Sequence, residues 1–217
     1  MTFDGLFDTF LRLDGPVFQW VEAHMHPGSG NFWDSFFSIV TRLGDGGVFW
    51  IVLALVLFIP KRTRKAAAVM ACALALDVVI TNGILKVLFE RPRPYDFNWA
   101  GSGWDFIFHQ LVEKEHDFSF PSGHTGVSFA GALGLLFGAK RKWFGGKGLR
   151  IFAVLLTVLA ALVGFSRIYI GVHYATDVIG GVLVGLVCAA LAVLVFRLME
   201  PLFDRLNVKL ERKLSGK

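Results

Sequence analysis

The run Val178-Ile-Gly-Gly-Val-Leu-Val-Gly-Leu-Val-Cys-Ala-Ala-Leu-Ala-Val-Leu-Val-Phe196 contains no charged side chain. A helix of this length matches the hydrocarbon core of a bilayer, which about 20 apolar residues span. Shorter or similar uncharged runs cover 46–60, 66–85 (interrupted only by Asp77), 125–139 and 151–166. The sequence therefore predicts an all-α fold, a polytopic transmembrane helical bundle with five spans.

The composition of the chain supports a membrane protein and excludes several other classes. Of 217 residues, 54% are hydrophobic and 18% are charged, whereas soluble domains carry about 25% charged residues. Disordered, collagen-like and disulfide-rich classes do not fit these values. The formal net charge of +5 comes from basic residues that cluster between the apolar runs. That placement indicates membrane topology, so no nucleic-acid partner is predicted.

The first 45 residues differ from the rest of the chain. Only seven uncharged residues separate Asp34 from Arg42, too few to cross a bilayer. Acidic and aromatic residues alternate there at roughly helical spacing, which predicts one or two amphipathic helices at the membrane interface. A sixth, N-terminal span is the alternative. The predicted organisation is an interfacial segment over 1–45, a transmembrane bundle over 46–200 with an outer loop at 87–120, and a basic tail over 201–217.

The distribution of lysine and arginine predicts the orientation of the bundle. Basic residues concentrate after the first span (61–65), after the third (140–150) and in the tail. Because such residues are enriched on the cytoplasmic side, the C-terminus is predicted to be cytoplasmic. The outer loop and the connection at 167–177 then lie on the opposite face.

Three polar clusters fall on that opposite face. The first is Lys86-Val-Leu-Phe-Glu-Arg-Pro-Arg93-Pro94, and the second is Pro121-Ser122-Gly123-His124. The third is Ser166-Arg167-Ile-Tyr-Ile-Gly-Val-His173-Tyr-Ala-Thr-Asp177. The sequence therefore predicts one polar site, built from segments that are far apart along the chain.

The first part of the predicted chemistry is anion binding. Lys86, Arg93 and Arg167 would repel one another unless an anion lay among them, and guanidinium groups suit phosphate oxygens. Pro121 to His124 resembles a helix start, where Ser122 can cap or donate and Gly123 lets the backbone approach a ligand. Free N–H groups and the positive end of the helix dipole favour an anion there.

The second part is nucleophilic and acid–base catalysis. His173 and Asp177 are four residues apart, so on a helix the carboxylate can orient the imidazole as a nucleophile. His124 supplies a second imidazole that can protonate a leaving oxygen. Together these groups predict phosphoryl transfer. No metal-ligand spacing is present, so neither a metal nor a cofactor is predicted, and the cations could do a metal's work.

At these motifs the sequence resembles the type 2 phosphatidic acid phosphatases, a family of membrane lipid phosphatases related to vanadium haloperoxidases. The family signature K-x6-R-P, P-S-G-H and S-R-x5-H-x3-D is present in order and without departure. The resemblance implies that His173 forms a phosphohistidine, Asp177 positions it and His124 protonates the leaving group. It further implies that the phosphate oxygens are held by Lys86, Arg93, Ser122, Gly123 and Arg167.

The resemblance also implies a lipid phosphate as the substrate, with its chain in the bilayer. Within the family, a short chain such as this one resembles the undecaprenyl pyrophosphate phosphatases and the phosphatidylglycerophosphatases. We therefore expect undecaprenyl pyrophosphate first, and phosphatidylglycerophosphate or phosphatidic acid second. A phospholipid binder or transporter without enzymatic activity is the rival class. The expected location is the bacterial plasma membrane with the site outside, and the oligomeric state stays open.

Two further polar residues carry expectations of a different kind. Arg91 is interpreted as an interfacial cation, because Arg93 matches the motif spacing. Asp77, an acid within a span, is expected to make a structural contact with Thr81, one turn later.

Overall fold

The computed structural model describes residues 4–97, 111–139 and 147–214, and within these ranges all regular structure is helical. Parts of the predicted outer loop (98–110) and of the predicted basic connection (140–146) lie outside the described residues. A 3-10 turn at Asp45–Gly47 precedes α3, and a π-helical stretch at Val79–Leu85 joins α4 to α5. The helices are α1 (Asp4–Met25), α2 (Phe32–Arg42), α3 (Val48–Phe58), α4 (Arg64–Val78), α5 (Lys86–Phe89), α6 (Gly123–Gly138), α7 (Lys147–Tyr169) and α8 (Ala175–Leu214).

The helical membrane bundle is confirmed, whereas the predicted number of spans is not. Among the described residues, three helical stretches are long and apolar enough to cross a membrane: Arg64–Phe89, Lys147–Tyr169 and Ala175–Lys209. A fourth results if α2 and the stretch Asp45–Phe58, bent by 43°, form one broken span. Helix α6 has only 16 residues. Five spans therefore stay a prediction, and α1 is not among the stretches that could serve as a sixth.

Helix α6 is the central element, and it packs against α4, α7 and α8. Its contact with α8 is so close that two glycines of α8 have no room for a side chain. A Cβ atom on Gly181 would lie 2.7 Å from the carbonyl oxygen of Ser122, and one on Gly185 would lie 2.7 Å from that of Gly126. Both distances are shorter than van der Waals contact, so glycine is required there. This packing sets the start of α8 beside the start of α6.

Helices α1 and α2 cover the end of the bundle where α7 ends and α8 begins. Leu11, Phe18 and Val21 of α1 are buried in one cluster with Phe37 of α2 and with the segment 168–174. The other face of these helices leaves large apolar side chains exposed, which is the pattern of an interfacial amphipathic helix. The exposed side chains are Leu13, Trp20, Phe32, Trp33 and Ile39.

At the opposite end of the bundle, α8 continues past the predicted boundary at residue 200 and reaches Leu214. The Lys65 ammonium lies 2.9 Å from Glu200 and 2.8 Å from Asp204. These ion pairs fasten the extension of α8 to the first turn of α4. The predicted tail thus begins as part of a helix that packs on the bundle.

Candidate active site

The structure places all eight predicted site residues at one end of the bundle, although their roles stay predictions. Lys86 begins α5, Arg167 lies in the last turn of α7, and Asp177 lies in the first turn of α8. Arg93 follows α5, and His173 lies in the connection between α7 and α8. Ser122, Gly123 and His124 form the start of α6. The helix packing described above therefore assembles the site from three separate segments of the chain.

His173 is fully buried, and its two ring nitrogens face different partners. Nδ1 lies 3.4 Å from Oδ2 of Asp177 and 3.3 Å from the hydroxyl of Ser119. Nε2 lies 3.2 Å from a guanidinium nitrogen of Arg93. The carboxylate thus orients the ring from behind, and Nε2 is the nitrogen that faces the cations.

The three predicted phosphate-binding cations converge on two carboxylates of the loop before α6. Arg93 binds Glu115 at 2.5 Å and also binds Asp117. Lys86 binds Asp117, and Arg167 binds Glu115. We call this group of three cations the cradle. Carboxylate oxygens and phosphate oxygens are both acceptors for guanidinium and ammonium donors, so these ion pairs are consistent with the predicted binding of phosphate.

The cations of the cradle lower the pKa values of the two carboxylates and of the imidazole that face them. Burial alone would raise the pKa of Glu115, but the guanidinium groups of Arg167 and Arg93 lower it to about 2. Burial acts in the same way on Asp117, and Lys86 and Arg93 lower its pKa to about 2. For His173, burial first and then the cations Arg93 and Arg167 hold the pKa well below its usual range. The cradle therefore favours anions and a neutral imidazole.

Arg167 retains one donor that the loop carboxylates do not use. It donates to the hydroxyl of Thr41 at 2.5 Å and to Glu115. Its Nε, however, is buried and has no hydrogen-bond partner among the described residues. A buried unsatisfied donor is costly, and an oxygen of a bound phosphate would satisfy it.

His124 faces the cradle from the start of α6 and has a carboxylate partner of its own. Its Nε2 lies 2.8 Å from Oδ1 of Asp45, and its Nδ1 lies 3.9 Å from Glu115. Asp45 belongs to the turn Gly44-Asp45-Gly46-Gly47, in which Gly46 and Gly47 have positive φ angles. A Cβ atom on Gly44 would lie 2.7 Å from the ring of His124. The glycine-rich turn thus lets Asp45 approach the imidazole.

The start of α6 links the cradle to α8. The backbone N–H of Ser122 donates to the carbonyl of Asp177 at 3.1 Å, and its hydroxyl accepts from Thr125 as the helix cap. A Cβ atom on Gly123 would lie 3.8 Å from Nζ of Lys86. Ser122 is thus a cap here, and Gly123 places the first turn of α6 beside the lysine.

The interpretation of Arg91 as an interfacial cation is wrong. Arg91 is buried and binds Asp177 at 2.5 Å and Asp14 at 2.8 Å. The two arginines of the Arg-Pro-Arg-Pro stretch point in different directions. Arg93 joins the cradle, whereas Arg91 contacts Asp177 on the side of His173 that faces away from the cradle. The expected contact of Asp77 with Thr81 is confirmed, since the threonine hydroxyl donates to the carboxylate at 3.3 Å.

Sequence reasoning missed several residues of the site, most of which lie in loops or in the N-terminal helices. Glu115, Asp117 and Ser119 precede α6 in a segment without periodicity, and Asp45 lies in a turn. The sequence contained a signal for Asp14, because this acid interrupts the apolar stripe formed by Leu11, Phe18 and Val21. The structure shows that Asp14 is fully buried with that stripe. An acid in a buried stripe requires a partner.

A cavity of about 790 Å³ opens beside the cradle. Its lining includes Thr41, Arg42, Asp45, Glu115 and Arg167. Among the described residues, no group of three or more histidines, cysteines or acids is arranged to hold a metal ion.

Comparison with known proteins identifies relatives in sequence and in structure. The undecaprenyl-diphosphatase of Sulfolobus acidocaldarius is 32% identical over 136 residues, which cover 63% of this chain and 58% of that protein. The undecaprenyl-diphosphatase BcrC of Bacillus subtilis is 29% identical over 171 residues, 79% of each chain. The crystal structure of a transmembrane PAP2 type phosphatidylglycerolphosphate phosphatase from Bacillus subtilis matches with a TM-score of 0.63 and 28% identity over 83% of each chain.

The family assignment follows from a match along most of the bundle. A family model described as the PAP2 superfamily matches residues 65–199, which include all three polar clusters. The chain therefore belongs to the PAP2 superfamily.

Proposed function

We propose that the protein hydrolyses undecaprenyl pyrophosphate to undecaprenyl phosphate and inorganic phosphate through a phosphohistidine on His173. The observation that carries this proposal is the cradle itself. Lys86, Arg93 and Arg167 hold two carboxylates, and Arg93, which binds both of them, lies 3.2 Å from Nε2 of His173. A terminal phosphoryl group bound in place of those carboxylates would lie within reach of the nucleophile.

The first step of the proposed reaction transfers the terminal phosphoryl group to the enzyme. Nε2 of His173 attacks phosphorus while the bond between phosphorus and the bridging oxygen breaks, and the electron pair leaves with the lipid phosphate. His124 donates a proton to that leaving oxygen. Asp177 stabilises the positive charge that develops on His173, and the cradle stabilises the charge on the transferring oxygens.

The second step regenerates the enzyme. A water molecule attacks phosphorus of the phosphohistidine, His124 accepts a proton from that water, and the bond between nitrogen and phosphorus breaks. Inorganic phosphate is released, and His173 is again neutral. The pair formed by Asp45 and His124 suits this alternation, because the carboxylate supports either protonation state of the ring.

The choice of substrate rests on chemistry and on the relatives. Two relatives are named undecaprenyl-diphosphatases, and a diphosphate has an acidic leaving group that needs little protonation. The second candidate substrate is phosphatidylglycerophosphate or phosphatidic acid. It is favoured by the structural match to a protein named a phosphatidylglycerolphosphate phosphatase.

The proposed location is a bacterial plasma membrane, with the site on the extracytoplasmic face and the C-terminus in the cytoplasm. The support is the distribution of basic residues. Lys61, Arg62, Arg64 and Lys65 lie at the end of the bundle opposite to the site, together with the end of α8. Cytoplasmic segments are enriched in lysine and arginine.

A phosphate-release assay tests the proposed function. The purified protein, in detergent with a chelator present, is given undecaprenyl pyrophosphate, phosphatidylglycerophosphate and phosphatidic acid in separate reactions. We expect the fastest release from the diphosphate and at least a thousandfold loss in His173→Ala. Release that is unaffected by His173→Ala, or that requires an added metal, would contradict the mechanism. A protein that binds these lipids without releasing phosphate would instead be the binder or transporter of the rival class.

A further inference from the structure

We infer that Arg91 and Asp14 are positioning residues for the nucleophile, and that they act by holding Asp177 behind His173. This inference rests on the proposed function, and it assigns a role to the N-terminal helix α1. The structure joins α1, the segment after α5, and α8 through one chain of buried ionisable groups. In order, these are Asp14, Arg91, Asp177 and His173.

Arg91 bridges two carboxylates that have no access to solvent. One guanidinium nitrogen donates to Asp177 at 2.5 Å and to the hydroxyl of Thr176 at 2.8 Å, and another donates to Asp14 at 2.8 Å. Asp14 and Asp177 are 0% exposed, and Arg91 is 2% exposed. A planar guanidinium can satisfy both acids at once, which an ammonium cannot do with the same geometry.

Aromatic rings fix the plane of the Arg91 guanidinium. Its central carbon lies 3.8 Å from the ring centroid of Tyr174, and the rings of Phe7 and Phe10 of α1 lie at 5.1 and 5.6 Å. Such stacking favours a desolvated cation. The guanidinium therefore has little freedom to turn away from Asp177.

Asp14 connects the same group to the start of α8. Its carboxylate accepts a hydrogen bond from the backbone N–H of Thr176 at 2.8 Å and another from the threonine hydroxyl at 2.8 Å. Thr176 immediately precedes Asp177. Asp14 therefore acts on the nucleophile in two ways, through the charge of Arg91 and through the backbone at the first turn of α8.

The charges in this chain make its effect on catalysis testable. One cation faces two carboxylates, and breaking a buried ion pair leaves an uncompensated charge. Loss of Arg91 favours uptake of a proton by the pair His173 and Asp177, which removes the neutral nucleophile. Loss of the charge on Asp14 has the opposite effect, because Arg91 then faces a single carboxylate.

Other ionisable groups also face the pair His173 and Asp177, and they stay in place in the proposed variants. They set the position of the acidic limb of the pH profile in the unaltered protein. These groups are Lys86 on α5, Arg93 after it, Glu115 in the loop, Arg167 on α7 and Tyr174 before α8.

The experiment measures kcat/KM against pH for the full-length protein in detergent, with farnesyl diphosphate as the soluble probe. The variants are Arg91→Gln, Arg91→Lys and Asp14→Asn. Two exposed residues of α1 provide matched controls, Arg12→Gln for loss of a cation and Glu22→Gln for loss of a carboxylate. His173→Ala reports the phosphatase reaction itself.

We expect Arg91→Gln to lower kcat/KM at pH 7 at least tenfold and to move the acidic limb to higher pH. Asp14→Asn should move that limb to lower pH, and Arg91→Lys should restore its position while kcat stays below that of the wild type. The two control variants should retain the wild-type profile. Residues that only support the fold would lower the whole profile without moving its limbs.

Acidic limbs that stay at the wild-type pH in both Arg91→Gln and Asp14→Asn would overturn the inference. If Arg91→Gln fails to fold, the direction of the shift in Asp14→Asn decides the question alone. Failure of the proposed function has a different signature. In that case the wild type and His173→Ala would release phosphate equally or not at all.

Discussion

Individual side chains show how charge is distributed between the two sides of the nucleophile. On the side of Nε2, three cations hold Glu115 and Asp117, and on the side of Nδ1, two carboxylates share Arg91. The imidazole therefore lies between an anion-binding pocket and a net negative group. In the proposed reaction, such an arrangement would favour attack on an anionic substrate and would stabilise the cation formed after attack.

The sequence predicted the side chains that lie at fixed spacings within motifs. Lys86, Arg93, Arg167 and His173 could be found because each motif lies at the end of an apolar run. Glu115 and Asp117 could not, because their position depends on how the loop before α6 folds back over the cations. Arg91 was misinterpreted because spacing alone does not say which of two neighbouring arginines turns towards Nε2 of His173.

The carboxylates in the cradle should compete with phosphate, and Asp117 allows a direct test. We expect Asp117→Asn to tighten inhibition by inorganic phosphate about fivefold, because it removes a competing charge worth about 1 kcal/mol at a half-exposed position. The measurement is the inhibition constant of inorganic phosphate at pH 7. Glu22→Gln, at an exposed position of α1 that does not line the cavity, serves as the control. Weaker inhibition in Asp117→Asn would contradict a competing role.

The depressed pKa of His173 predicts the shape of the pH profile. Burial and the neighbouring cations keep the imidazole neutral below pH 6.5, and the nucleophile is lost only when the pH falls below the lowered pKa. We therefore expect the acidic limb of kcat/KM below pH 6.5, and a basic limb where His124, whose pKa is also lowered by burial, loses its proton. Rates measured from pH 4.5 to 9.5 would test this. An acidic limb at or above pH 6.5, or a flat profile, would contradict it.

The sequence predicted where helices occur more accurately than it predicted how long they are. Each predicted apolar run lies in a helix, but α3 has 11 residues, which correspond to about 16 Å at 1.5 Å per residue. It approaches membrane thickness only together with α2, beyond the bend at the turn Gly44 to Gly47. Hydropathy could not predict that α2 and α3 can form one bent span, because Arg42 and Asp45 interrupt the apolar pattern at the bend. Asp45 is the residue that contacts His124.

The close approach of α6 and α8 makes Gly181 a sensitive position. A methyl group there would meet backbone atoms of Ser122 and Gly126 and the Cβ of Thr125, so the start of α6 must shift. We expect Gly181→Ala to destabilise the protein by about 1–3 kcal/mol and to lower kcat at least tenfold. Thermal unfolding in detergent and phosphate release are the measurements. Gly148→Ala, which has open space around its Cβ, is the control, and equal behaviour of the two variants would refute the packing argument.

On the scale of the whole molecule, the candidate site lies at one end of the bundle, and a group of ion pairs lies at the other. The first holds the cradle beneath α1 and α2, and the second holds the ion pairs of Lys65 with Glu200 and Asp204. The sequence predicted this polarity from the clusters and the basic residues. It did not predict that α8 continues as a helix to Leu214, because charged residues after Phe196 ended the apolar signal.

Thiol labelling can test the predicted orientation in the membrane. Glu113→Cys places an exposed thiol near the site, and Lys209→Cys places one at the other end. In intact cells we expect a membrane-impermeant maleimide to label the first variant, and to label the second only after permeabilisation. The wild type, with the half-buried Cys72 and the buried Cys188, gives the background. The reverse pattern would invert the proposed topology.

The two carboxylates held in the cradle also bear on the design of inhibitors. They are tethered to the protein and therefore compete at a high effective concentration with any molecule from solution. A compound with a single negative charge would have to displace both with one group. Bisphosphonates and other polyanionic scaffolds, whose charges can replace Glu115 and Asp117 together, are the more promising chemical starting points.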